Sequence, residues 1–283
     1  MIIALIVLLI VFQWLDAWSP KHLYGVIYRW ARWLLFSAVA AEVGVALAWS
    51  GYGPAFGMAF LVWFVGETMF YWWIIRNISE SDGTLFPRFR KMQRPESWPV
   101  QKRFLKLRDI IRAKRFQLIE SAEIDFGDEI VEGNIRLFIF RHISKKIRLD
   151  VWFFPHRFKN LECLFVFQSQ SGKKRLMTSN LNYAFGGFYP ETYSVWRHLY
   201  VSFPGLLKRH LKHLRQGKYH CDAMTRNPID DLNHEEYLLE QYNIDVGFLT
   251  PPNHRDDYGQ LTPDGKFRVW YSLWLLNYVG FVK

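Results

Sequence analysis

The order of apolar and polar positions divides the chain into two regimes. Up to Ile75 apolar residues run in three nearly uninterrupted stretches, whereas beyond Gln117 they alternate or recur in short blocks between turns. The first stretch, residues 1–15 with Gln13 as its interruption, would cover roughly 22 Å as a helix, against a hydrocarbon core about 30 Å thick. It predicts a short or tilted span, or else an interfacial or re-entrant segment. No basic region precedes it and no small-residue cleavage site follows, so a cleaved signal peptide is not expected.

The second and third stretches, 34–49 and 55–75, are joined by the uncharged turn Ser50-Gly51-Tyr52-Gly53-Pro54 and predict a membrane hairpin. Between the first two stretches, Trp18, Trp30 and Trp33 alternate with Lys21, His22, Arg29 and Arg32, the pattern of a cytoplasmic loop. The third stretch ends in Tyr71-Trp72-Trp73 followed by Arg76, an aromatic belt handing over to positive charge at a cytoplasmic exit. Two or three spans are therefore expected in a bacterial inner membrane, with the C-terminal body in the cytoplasm. Ala40, Gly44 and Ala48 form a small-residue stripe that admits close approach of a further helix, from this chain or a partner copy; ordinary alanine-rich membrane sequence would look the same.

Residues 76–115 form a proline-containing connector and a basic amphipathic helix. Phe104, Leu107, Ile110 and Ile111 recur at helical spacing, with Lys102, Arg103, Lys106, Arg108, Arg112, Lys114 and Arg115 between and after them. Anionic headgroups attract such segments by roughly 1 kcal/mol per Lys or Arg near the surface, less in salt. From about Gln117 the period becomes that of strands, at 118–126, 134–142, 146–154, 161–169, 175–179 and 193–201. The short connections among the first five predict an antiparallel meander, with 193–201 as a further strand. Ser202-Phe203-Pro204 then opens a helix to Gln216, Asn227-Pro228 opens another to about Tyr242, 246–249 could pair with 258–261, and Thr262-Pro263 opens a last helix. Its apolar run, 269–282, is too short for a span and is expected to dock on the sheet or lie in the membrane interface. The fold class is thus a membrane-anchored α+β protein: an anchor over 1–75, a basic connector over 76–115 and a cytoplasmic domain over 116–283.

Phe165-x-Phe167-x-Ser169-x-x-Gly172, Leu176-x-Thr178-Ser179-Asn180, a later helical His210 and Leu261-Thr262-x-x-Gly265 resemble a pattern in uncharacterised bacterial membrane-anchored proteins with a cytoplasmic α+β domain. The resemblance covers only part of the chain and implies no activity.

Charge sharpens this picture. The formal net charge of +10 is distributed as 0 over residues 1–75, +8 over 76–115, +7 over 116–221, −8 over 222–264 and +3 over 265–283. A neutral anchor carries a basic body and one acidic segment. Asp230, Asp231, Glu235, Glu236 and Glu240 lack calcium-loop spacing and predict a solvated acidic helix face, balancing the basic helix at 208–218 or meeting a basic partner. Cys163 and Cys221 make neither a disulfide framework nor a four-cysteine metal site, and a reducing compartment fits.

Candidate chemistry is sparse. Glu42 and Glu67 stand in apolar stretches, where a carboxylate is costly unless paired, protonated or hydrated. Counted from the turn, their depths differ by roughly 6 Å, so a shared proton or cation is one reading and a hydrogen-bonded helix contact is the other. A second basic patch, Lys208, Arg209, Lys212 and Arg215, surrounds His210 and His213, with His220 and Cys221 beyond the helix stop. Those cations disfavour a metal, and no metal or other cofactor is expected. Arg136, Phe138, Phe140 and Arg141, with Arg148, Trp152 and Phe154, could form a stacking face for nucleic acid; in a half-buried sheet the aromatics would instead face the core and the charges solvent. The nucleotide-binding and hydrolase signatures Gly-x-x-x-x-Gly-Lys-Ser/Thr, Gly-x-Gly-x-x-Gly, Gly-x-Ser-x-Gly and His-Glu-x-x-His are all missing. The expected function is a non-enzymatic interaction or scaffold module on anionic lipid, with a protein partner or a second copy met through the membrane helices. An ion-coupled subunit or membrane enzyme using Glu42 and Glu67, and a tethered nucleic-acid binder, are the alternatives.

Overall fold

The computed structural model describes residues 6–8, 10–12, 23–47, 51–81, 85–92, 98–124, 135–155, 161–181, 187–199, 201–252 and 257–280. In chain order these form α1 (Leu23–Ala46), α2 (Tyr52–Ser79), β1 (Phe89–Lys91), α3 (Lys102–Ala113), β2 (Phe116–Ile124), β3 (Arg136–His142), β4 (Arg148–Pro155), β5 (Leu161–Ser171), β6 (Lys174–Ser179), β7 (Tyr193–Arg197), α4 (Phe203–Gln216), α5 (Pro228–Asp245) and α6 (Pro263–Trp274), which continues into a π-helical turn, Leu275–Val279. They group into two compact units, one of residues 1–81 with 261–283 and the other of residues 82–260.

The first unit is helical. Among its described residues, α2 alone is long and apolar enough to cross a membrane. Leu61, Val62, Val65, Met69 and Trp73 leave its sides exposed, as a lipid-facing helix requires and a core helix does not. Among the described residues there is therefore one candidate span and not two or three. The second helix begins at Leu23, not Leu34, so residues expected in a cytoplasmic loop, Arg29 and Arg32 among them, belong to α1 and dilute its apolar run. Residues 6–8 and 10–12 are helical, and the rest of the expected first span lies outside the described residues.

α1 and α2 meet through small and aromatic residues. Ala41 and Gly44 are buried on α1, Ala55 and Ala59 on α2, and a Cβ at Gly44 would stand 3.2 Å from that of Ala55. The small-residue stripe thus serves the hairpin itself; Ala48 lies outside the described residues. Trp33 stacks on Phe60 with ring centres 4.1 Å apart and donates its indole N–H to the Phe60 carbonyl at 3.1 Å. The last helix packs here and not on the sheet. Trp274 meets Trp33 and Tyr71, Tyr278 meets Trp33, and Trp30 Nε1 donates to the Tyr278 carbonyl at 2.9 Å.

The second unit is a seven-stranded sheet with strands in sequence order, β1 to β7. β1 to β6 pair antiparallel, as their short connections dictate. The expected meander is β2 to β6, and the further strand makes the sheet mixed and not wholly antiparallel, because β7 pairs parallel to β6; the connection 180–192 is long enough for a crossover. Both faces are covered. Phe138, Phe140, Leu149, Val151, Phe153, Phe165 and Phe167 point to one side and pack on Phe104 and Ile111 of α3 and on Phe203 and Leu206 of α4. The alternate residues, Leu137 and Ile139 with Ala122 and Ile124, face Ile229 and Leu232 of α5. Strands buried on two faces lose the apolar/polar alternation that marks a one-sided sheet.

Candidate functional site

β4 carries the unusual side of this sheet. Its register places Leu149, Val151 and Phe153 in the α3/α4 core, so Arg148, Asp150, Trp152 and Phe154 point toward α5. Arg148 is not the solvent-facing charge, nor part of an open stacking face, that the sequence suggested; it is only 2% exposed. Nε donates to Asp150 Oδ2 at 3.2 Å, Nη1 to Asp231 Oδ2 at 2.9 Å, and Nη2 to Gln168 Oε1 at 2.6 Å and Glu235 Oε2 at 2.8 Å. Arg175 of β6 donates to both Asp231 oxygens at 2.9 and 3.2 Å and pairs with Glu235. Asp231 and Glu235 are one helical turn apart on α5, so both carboxylates descend onto the same row of the sheet.

The expected solvated acidic face holds for Asp230, which is exposed, and is overturned for Asp231, Glu235 and Glu240, which are buried, with Glu236 half-buried. Their partners are the sheet arginines and Arg88, which pairs with Glu240, and not the basic helix at 208–218. Burial raises the Asp231 carboxyl, but bonds and charge from Arg175, then Arg148, more than offset this and hold it below its ordinary value.

Beside this network lies a cavity of about 170 Å³. Its walls are mainly apolar, including Phe86, Trp152, Phe154, Val166 and Met177, and at one end Asp150, Glu235 and Glu236 meet Tyr189 and Tyr193. Among the described residues no Lys, Arg or His lines the cavity. Asp150 Oδ1 and Trp152 Nε1 are buried without a hydrogen-bond partner among the described residues. Burial raises Asp150 to about 6 despite Arg148, with the Glu235 charge contributing. Glu236 keeps some contact with the cavity but is otherwise enclosed; burial and then the Glu235 charge push it up to about 8 against Arg88 and Arg148.

Ser169, Thr178 and His210 of the pattern noted in the sequence come together elsewhere, as structure and not as a catalytic group. Fully buried His210 lies 3.0 Å from Ser169 Oγ through Nε2 and 2.9 Å from Thr178 Oγ1 through Nδ1. Ser169 Oγ donates to the Lys146 carbonyl at 2.9 Å, so it accepts from His210 Nε2–H, and Thr178 donates to Nδ1. A serine proton given to a carbonyl is not available to the histidine as a general base. Burial, then the His213 charge, lowers His210 to about 3 and keeps it neutral. Asn180 Oδ1 accepts from the Phe165 N–H at 2.7 Å, and Thr262 caps α6 by accepting from the Gly265 N–H at 3.0 Å. Gly187, at φ +64°, has no room for a side chain, because Asn243 occupies that space while binding both backbone groups of Phe188.

The candidate metal residues do not converge. His210 is sealed inside, His213 stacks on Trp196 at 4.4 Å and meets His198 at 3.2 Å, His220 is exposed and Cys221 half-buried. Among the described residues there is no group of three or more His, Cys, Asp or Glu suited to a metal ion. Glu67 accepts hydrogen bonds from Trp63 Nε1 at 2.8 Å, Tyr71 OH at 2.7 Å and Tyr278 OH; Glu42, half-buried on α1, is not one of its partners. Asn277 Nδ2 donates in turn to Tyr71 OH at 2.8 Å. Glu67 thus ties α2 to the π-helical turn.

The two basic segments, remote in sequence, lie on one side of the second unit. α3 and α4 bury their apolar stripes on the same sheet face. Lys102, Arg103, Lys106, Arg112, Lys114 and Arg115 remain exposed, as do Lys208, Arg209, Lys212 and Arg215, with Arg108 half-buried. No family model, curated protein or solved structure matches this chain.

Proposed function

We propose that the chain is a membrane-held, non-enzymatic docking module, anchored through α2, whose α+β unit engages anionic lipid through the combined basic faces of α3 and α4. The observation that carries this reading is the placement of two separate basic helices on one sheet face with their cations outward. Their apolar stripes are spent on the sheet, so engagement would be electrostatic at the headgroup level, without insertion. The cytoplasmic leaflet of a bacterial inner membrane is the surface whose charge suits it, and a docked unit would then be available to a protein partner.

Lysine acetylation of the full chain in nanodiscs tests this. With phosphatidylglycerol, modification of Lys102, Lys106, Lys208 and Lys212 should fall several-fold relative to phosphatidylcholine and recover at about 0.5 M salt, where screening lengths shrink to a few ångströms. Equal modification in both lipids would sink the proposal. Retention of short duplex DNA in moderate salt, with no lipid effect, would move the surface to the nucleic-acid alternative.

A further inference from the structure

We infer that the cavity between the sheet and α5 is a binding site for a small organic cation: a protonated amine on an aromatic or short alkyl body, its ammonium held by Asp150 and Glu236. The inference stands on the second unit alone and is independent of lipid docking. Shape comes first. A cavity of about 170 Å³ is close to the roughly 150 Å³ that admits benzene in an engineered protein core, which limits the ligand's body to about one ring. Phe86, Trp152, Phe154, Tyr189 and Tyr193 offer ring faces to that body and to an adjacent positive charge.

Charge selects the head group. Among the described residues three carboxyl groups line the cavity and no basic side chain does; Arg148 and Arg175 are engaged with Asp231, Glu235 and Gln168. An anion would meet carboxyl groups there, and a neutral hydrocarbon would offer no donor to the second Asp150 oxygen. Asp150 is 1% exposed, and its Oδ1 has no partner while Oδ2 is held by Arg148. A buried acceptor facing a cavity is the counterpart of an ammonium N–H. Trp152 Nε1, also without a partner, could donate to a hydroxyl or ether oxygen on the same ligand.

Protonation agrees with this geometry. Glu236 faces Glu235 on its own helix, Asp150 and Arg148 on β4, and Arg88. Its raised value means that the empty cavity holds a proton near neutral pH, which an arriving cation would displace. Binding should therefore release protons, and affinity should rise with pH up to about 8.

The probe is benzylamine, titrated calorimetrically into the full chain in detergent micelles, with benzyl alcohol as its neutral and phenylacetate as its anionic isostere. Benzylamine should bind at least about tenfold more tightly than benzyl alcohol, a difference of about 1.4 kcal/mol, and phenylacetate should not bind. Glu236→Gln should weaken benzylamine about tenfold and leave benzyl alcohol unchanged, while Met177→Trp, which fills the cavity, should abolish both. Equal affinity for amine and alcohol, benzylamine binding that survives Met177→Trp, or no benzylamine binding up to about 10 mM would overturn the inference. The comparison of isosteres uses the unaltered protein and does not depend on how well either variant folds.

Discussion

Arg148 occupies a strand position whose side chain must leave water, and it does so with a hydrogen-bonding acceptor on four different residues. Guanidinium geometry makes this possible: five N–H groups in a rigid plane reach Asp150 along the strand, Gln168 across it, and Asp231 and Glu235 on the covering helix. Desolvation of such a group is costly, and removing part of its pairing leaves buried charge uncompensated. Arg148→Lys keeps the charge but loses the fork. It should lower stability by about 3–5 kcal/mol, read as the shift of the urea or thermal midpoint followed by tryptophan fluorescence. A midpoint within error of the unaltered protein would show that a point charge suffices. This site was poorly legible in the sequence for a physical reason. Arg148 and Asp150 on one face of β4, and acids spaced along α5, each look like solvent-facing charge when read singly, and become a site only when the two charged faces are laid on each other. The hint available was that β4 sits among strands apolar on both faces, which leaves no solvent-facing side.

At the scale of elements, local patterns served well. β2 to β6, α3, α4 and α5 occur within a few residues of where periodicity and caps placed them, because each has a buried stripe or a start signal of its own, such as Asn227 accepting from the Ile229 N–H. What depends on a distant partner was not legible. β1 is three residues long and borrows its register from β2; the strand at 193–201 and the helix from Thr262 carry local signals, but the parallel direction of β7 comes from β6, and the aromatic partners of α6 lie on helices more than 200 residues earlier. The hairpin offers a test at this scale. Gly44 stands against Ala55 with no space for a branched side chain, so Gly44→Leu should force α1 and α2 apart. The expected readout is a loss of about 1–3 kcal/mol, with a lower melting temperature of the micelle-solubilised protein, whereas Gly57→Leu, at an open position on α2, should leave it unchanged. If the two variants melt alike, close packing at Gly44 is not what holds the pair.

For the whole molecule, buried groups tie stability to pH from two sides. His210 is lowered to about 3 in the fold, so an unfolded chain takes up a proton that the folded one refuses. Stability is present above about 6.5 and is lost as pH falls toward 3, at about 1.4 kcal/mol per pH unit; His142, His198 and His213 are lowered as well and act in the same direction. Glu236 has the opposite sign. Raised to about 8, it keeps a proton that the unfolded chain releases above about 4.5, so its contribution is full below that value and is lost as pH rises through 8. Thermal melts should therefore show His210→Gln gaining on the unaltered protein toward acid, and Glu236→Gln gaining on it between about pH 5 and 8. Parallel pH profiles for all three proteins would remove both groups from the account.

The helical unit is discontinuous in sequence, with residues 82–260 inserted between its two parts. That places a clock in biosynthesis. Glu67 and the tyrosine that completes its hydrogen bonds are 211 positions apart, which at about 5–20 residues per second is a wait of about 10–40 s on the ribosome. Throughout that interval the nascent helix α2 carries a carboxyl group served by Trp63 and Tyr71 on its own helix and lacking its third donor. Closure of the helical unit thus follows translation of the inserted sheet unit, and it reports that this unit has been made through to its end.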